Sequence, residues 1–125
     1  MRAASALVLV AVLAGCGGKA ATPEERFAAS GNAICRETAK TSQDLQRAKA
    51  PGYRARLNAA GREGQRRLKA LEPPASLRKR RDRFFADLRQ LEIVSSNPGE
   101  RPKAVALMNR LPDEARALGW DDCAG

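Results

Sequence analysis

Residues 22–52, TPEERFAASGNAICRETAKTSQDLQRAKAPG, describe a helix with both of its ends written out. Thr22 suits the N-cap, Pro23 the first helical position, and Glu25 the position where a capping box places its carboxylate. Phe27, Gly31, Ile34, Thr38, Thr41, Leu45 and Ala48 then recur at steps of four and three. That spacing predicts one helix over about 23–49 with a single, weakly apolar stripe. Ala50-Pro51-Gly52 breaks it.

The rest of the chain repeats this pattern. Tyr53, Leu57, Ala60, Gly64, Leu68 and Leu71 form a second stripe, ended by Glu72-Pro73-Pro74. Gly61 and Gly64 each cost this helix about 1 kcal/mol against alanine, and they either permit a close crossing or are merely tolerated. A third helix begins between 74 and 77 and carries Leu77, Phe84, Phe85, Leu88, Leu91 and Val94. Ser95-Ser96-Asn97-Pro98-Gly99 stops it. A fourth runs from about 101 with Val105, Met108, Leu111, Ala115 and Leu118 on one face. Pro112 predicts a kink or break within it, and Gly119 suits its C-cap. No segment alternates with period two, so the expected fold is all-α. Short connections between four amphipathic helices give an antiparallel four-helix bundle.

Upstream of the bundle stands a different kind of sequence. One charge at Arg2 precedes an apolar run from Ala6 to Leu13, and small residues follow. That run is about half of the ~20 residues a membrane-spanning helix needs, and it fits a cleaved signal peptide over 1–15. Leu13-Ala14-Gly15-Cys16 resembles the lipobox of bacterial lipoproteins. The resemblance implies a diacylglyceryl thioether on Cys16, cleavage before it, and a protein lipid-anchored to the cell membrane on its extracytoplasmic face. Two acyl chains on one cysteine would anchor durably where one does so only marginally. Gly17 follows, so the aspartate that marks inner-membrane retention in many Gram-negative lipoproteins is absent. Residues 16–22 then form a lipidated tether and 23–125 the helical domain.

With lipid on Cys16, the odd cysteine count resolves. Cys35 and Cys123 remain, and in an oxidising compartment a disulfide is their expected state. Free thiols or a two-cysteine metal site are the alternatives, but no third or fourth ligand is evident for a metal. Such a staple suits the composition, because only twenty large apolar residues lie between Phe27 and Trp120. Trp120, three residues before Cys123, reads as a plug over the disulfide rather than a ligand platform. The early Ile34-Cys35, the terminal Leu118-Gly119 with Cys123, and the mid-chain Leu68, Leu71, Pro73, Pro74 pattern are similar to a loose set of small helical lipoproteins of high-GC Gram-positive bacteria. That resemblance implies no known activity.

Charge is unevenly distributed. The chain carries +9, and residues 47–89 alone carry +10. Arg66, Arg67 and Lys69 close the second helix, while Arg78, Lys79, Arg80, Arg81 and Arg83 open the third. In an up-down bundle both groups lie at the end nearest the tether. Cations suit the C-terminus of the second helix and oppose the dipole at the start of the third. These eight residues are therefore candidates for contact with anionic lipid head groups or cell-wall polymer phosphates, the bland alternative being a solvated face of good helix formers. An envelope protein is another candidate partner.

Chemistry is sparse. The chain has no histidine, which removes Ser-His-Asp and Cys-His catalysis. Glu24/Glu25, Asp113/Glu114 and Asp121/Asp122 are adjacent carboxylates that diverge by about 100° on a helix, and solvation or capping accounts for them. No phosphate-binding loop, nucleophile elbow or metal-ligand cluster is present. No aromatic residue interrupts the 78–83 basic run, as a single-stranded nucleic-acid platform requires. No catalytic residue, cofactor, metal or nucleic-acid partner is expected. The sequence thus reads as a non-catalytic envelope binding module. A small apolar-ligand carrier with a cavity in the bundle core is the alternative.

Overall fold

The Thr22 hydroxyl accepts a hydrogen bond from the Glu25 amide at 3.1 Å and starts α1, Pro23–Ala48. The computed structural model describes residues 20–125, so the leader over 1–15 and the lipidation position Cys16 lie outside the described residues. Lys49 ends α1 in the left-handed region, its amide donating to the Leu45 carbonyl. After Pro51-Gly52 the chain returns as α2, Tyr53–Ala70. A 3-10 turn at Ala75–Leu77 leads into α3, Arg78–Ser95, and another at Pro98–Glu100 into α4, Arg101–Ala117. The described residues contain no strand, and the fold is an all-α bundle.

The bundle is two helical hairpins, α1 along α2 and α3 along α4, tied together by the C-terminal tail, which packs on α1 and α4. Local chemistry aims that tail inward. Gly119, at φ 78°, lets its own amide reach the Arg116 carbonyl and the Trp120 amide reach that of Ala115, a Schellman cap. The reversal drives Trp120 into the core, where it is 0 % exposed. Its indole N–H donates to the Phe27 carbonyl at 3.1 Å, and its rings lie 4.9 Å from Phe27 and 5.7 Å from Phe84. The indole rests on Gly31, where a Cβ would fall inside it. Trp120 is thus the residue on which both hairpins meet, a larger role than a plug over a disulfide.

Asn32 holds the same tail from α1. Its side chain donates to the Gly119 carbonyl at 2.9 Å and accepts from the Asp122 amide at 3.0 Å. One turn on, Cys35 forms the expected disulfide with Cys123, with Cα atoms 5.2 Å apart.

The core is concentrated at one end. Phe27, Ile34, Leu68, Phe84, Leu111 and Trp120 belong to one cluster. Past Ile34, α1 has no buried residue. A smaller cluster of Val94, Ala104 and Leu107 belongs to α3 and α4 alone.

One expectation for α4 is corrected and a second is narrowed. Its buried face is Ala104, Leu107, Leu111, Ala115 and Leu118, while Val105 and Met108 are 42 % and 52 % exposed. At about 100° per residue Val105 stands roughly 120° from Leu111, whereas Ala104, seven residues away, stands within roughly 20°. The helix also passes through Pro112 without breaking. The carbonyl that loses its donor there belongs to Met108, on the outer face, where solvent can serve it. Of the two glycines in α2, only Gly64 sits at a close crossing: a Cβ there would lie 2.6 Å from Thr38 Oγ1, while one on Gly61 would meet open space.

Candidate functional site

Three features of the surface bear on function, and the first is the basic α2–α3 junction. The Ser76 hydroxyl donates to Glu24 Oε1 at 2.7 Å, so this junction packs beside the start of α1. That hydrogen bond is the main reason the Glu24 carboxyl is held below its ordinary value. Pro73 is buried, and with Leu71 and Phe27 it lines a solvent-open hollow of about 390 Å³.

The eight basic candidates divide into two groups. Arg66 pairs with Glu63 at 2.6 Å on its own helix, which lowers the Glu63 carboxyl and raises the arginine. Arg67 reaches Glu37 on α1 at 2.6 Å and buttresses the first hairpin. Arg81 pairs with Asp82 at 3.0 Å, with its guanidinium 6.0 Å from the Phe85 ring centre. Arg83 reaches Glu114 on α4 at 3.2 Å. Lys69, Arg78, Lys79 and Arg80 have no carboxylate at ion-pair distance among the described residues. Four of the eight are therefore engaged in ion pairs, and four have no such partner among the described residues.

The second feature is at Asp113/Glu114, for which solvation or capping is the expectation: the Glu114 side chain is only 13 % exposed. It faces Asp87 of α3, itself 16 % exposed, beneath Arg83 and Arg110. Burial, then the neighbouring Asp87 carboxylate, push the Glu114 carboxyl up to about 7, against the pull of Arg110 and Arg83, and neither Glu114 carboxyl oxygen has a hydrogen-bond partner among the described residues. Arg110 donates to Asp87 Oδ2 at 3.0 Å. The signal in the sequence was a matched pair of i, i+4 spacings, Arg83 to Asp87 and Arg110 to Glu114, one on each helix. Asn32 carried no comparable signal.

The third feature is a furrow between the hairpins, because α2 and α3 are not closely packed along their backbones. Two adjoining hollows of about 390 and 450 Å³ share Arg62, Gln65, Leu88 and Glu92. Both are open to solvent, as are hollows of about 270 Å³ beside Glu114 and about 140 Å³ over Gly64. None of these is the enclosed core cavity that an apolar-ligand carrier calls for. The described residues contain no cluster of three or more histidine, cysteine or acidic side chains placed to hold a metal ion. No helix among them is long and apolar enough to cross a membrane.

No protein-family model matches this chain, and no curated protein or solved structure matches it either.

Proposed function

We propose that this chain is a non-catalytic binding module of the bacterial envelope, held on the extracytoplasmic face of the membrane by a diacylglyceryl group on Cys16. In this reading its basic α2–α3 junction rests against anionic lipid head groups or cell-wall polymer phosphates. The observation that carries the proposal is the shared end: the Glu24–Ser76 hydrogen bond fastens the junction beside the first turn of α1, where the tether arrives. Seven residues from Cys16 to Pro23 reach at most about 25 Å and average about 15 Å when flexible. A Debye length is about 8 Å, so the junction lies within electrostatic range of a surface whenever the tether folds back. The far end of α1, a helix of 26 residues, does not, since such a helix is about 39 Å long.

Lys69, Arg78, Lys79 and Arg80, which lack carboxylate partners among the described residues, would contribute most, at about 1 kcal/mol each near an anionic surface. Two experiments test the two halves of the proposal. Cys16→Ser should release folded protein into the medium, and retention in the membrane fraction refutes the anchor. The released protein should bind vesicles containing phosphatidylglycerol and lose that binding on Arg78→Glu with Lys79→Glu. Equal binding to neutral vesicles refutes the charged contact.

A further inference from the structure

The furrow between α2 and α3 has a composition that the basic junction does not explain. Its floor is apolar, formed by Leu57 of α2 with Phe85, Leu88 and Leu91 of α3, all half-buried. One wall is a basic row on α2, Arg62, Arg66 (itself paired with Glu63) and Lys69, at steps of four and three and so on one face of that helix. Arg89 stands on the opposite wall, with Glu92 as the one acidic group lining the two hollows. From Leu57 to Lys69 the furrow follows twelve residues of helix, about 18 Å.

Gly61 is the second, independent observation. It lies mid-helix, where glycine costs about 1 kcal/mol against alanine, yet unlike Gly64 it permits no close crossing. A Cβ at Gly61 would meet nothing within 4 Å, and the residue lines the furrow. The missing side chain keeps the furrow open at its middle.

We infer that this furrow receives an acidic amphipathic α-helix of a partner protein, its apolar face on Leu57, Leu88 and Leu91 and its carboxylates along the Arg62–Lys69 row. The placement of charge selects this occupant. Cations are spaced along about 10 Å of wall, which suits a ligand with several negative groups along its length. A fatty acid or phospholipid carries its charge at one end. The chain's own residues 1–19 contain Arg2 and Lys19 and no acidic residue, so they do not complement the wall. The inference deepens the binding-module reading by giving it a partner class. The anchor is tested by fractionation and the furrow by titration in solution, so that either can fail without the other.

The test uses the full chain carrying Cys16→Ser, with its disulfide formed, and a fluorescein-labelled 18-residue peptide patterned with leucine at i, i+3, i+4 and i+7 and glutamate on its flanks. Anisotropy should report saturable binding that weakens as salt is raised, and circular dichroism a gain of helix. Gly61→Leu should weaken binding at least tenfold while unfolding at a higher urea concentration than the parent, which separates a filled furrow from a damaged fold. Arg62→Glu should also weaken it at least tenfold, and Arg62→Lys should restore it. Unchanged affinity in Gly61→Leu overturns the inference, as does equal binding of an analogue of the peptide with lysine in place of every glutamate. Binding of oleate or of phosphatidylglycerol vesicles to the furrow without binding of the acidic peptide overturns it too.

Discussion

Gly31 and Gly61 invite the same substitution with opposite results. Alanine in place of a mid-helix glycine adds about 1 kcal/mol of stability wherever the methyl group has room. At Gly61 it has room, so Gly61→Ala should be stabilising by about that amount. At Gly31 the Cβ would fall inside the indole of Trp120, a residue fully buried between both hairpins. Moving the indole overpacks the core at a cost of about 1–3 kcal/mol. It also pulls the indole N–H from the Phe27 carbonyl, and a buried donor left unpaired costs about 1–3 kcal/mol. Set against the propensity gain, Gly31→Ala should lose roughly 2–4 kcal/mol. Urea titration of both variants with the disulfide intact measures the difference, with midpoints moving in opposite directions by the order of 1–2 M for Gly31→Ala and less for Gly61→Ala. Trp120 is the single tryptophan, so its emission reports its own site. A red shift in native Gly31→Ala protein is expected. If Gly31→Ala raised the midpoint as Gly61→Ala does, the seating of Trp120 on α1 would be refuted, and with it the account of how the hairpins join.

Further outcomes follow from other contacts. Replacing Cys35 and Cys123 with serine removes a closure across 88 residues of sequence and should lower stability by about 4.6 kcal/mol on the chain-entropy account, measured by thermal unfolding against the oxidised parent. Because the folded Glu114 carboxyl stands above its ordinary 4.5, at about 7, the stability it contributes is fully present below pH 4.5 and is lost as pH rises through 7. The full shift converts to about 3 kcal/mol, and screening by nearby solvent reduces the usable part to about 1 kcal/mol. Glu114→Gln should therefore stabilise by about 1 kcal/mol at pH 8 and by almost nothing at pH 4.5. An equal effect at both pH values would show that the carboxyl is not held protonated. Pro112→Ala should stabilise by about 1–3 kcal/mol in urea titration, since α4 already runs through that position as a helix. Amide exchange should be fastest in α1 beyond Ile34, where no residue is buried, and slowest around Phe27 and Phe84.

The four helices and their ends were legible because each is bounded by residues with one local meaning: Thr22-Pro23 at a start, Pro51-Gly52 and Pro73-Pro74 at stops, Gly119 at a cap. Periodicity alone did not fix the buried face of α4, because Val105 and Met108 are as apolar as Leu107, and the distinction depends on which side α3 occupies. The importance of Trp120 was hidden for a related reason. Its partners, Phe27, Gly31 and Phe84, are remote in sequence and meet only after both hairpins have formed. At the basic junction the sequence counted charges correctly, but a one-dimensional reading cannot see that Arg67 and Arg83 are used across helices by Glu37 and Glu114. The furrow was illegible because it exists only where two hairpins fail to close on each other.

The bond between Cys35 and Cys123 also has a mechanical consequence. It turns most of the domain into a covalent ring that contains α2, α3, α4 and the furrow. If the chain were pulled between its two ends, only the residues outside that ring could lengthen it. The 88 residues spanned by the bond would keep about 300 Å of contour out of reach of the force. Force spectroscopy on the oxidised and reduced protein would read that length directly, as the added extension that appears when the bond is cut. Whatever docks between α2 and α3 would thus sit inside a loop that tension on the ends cannot draw out.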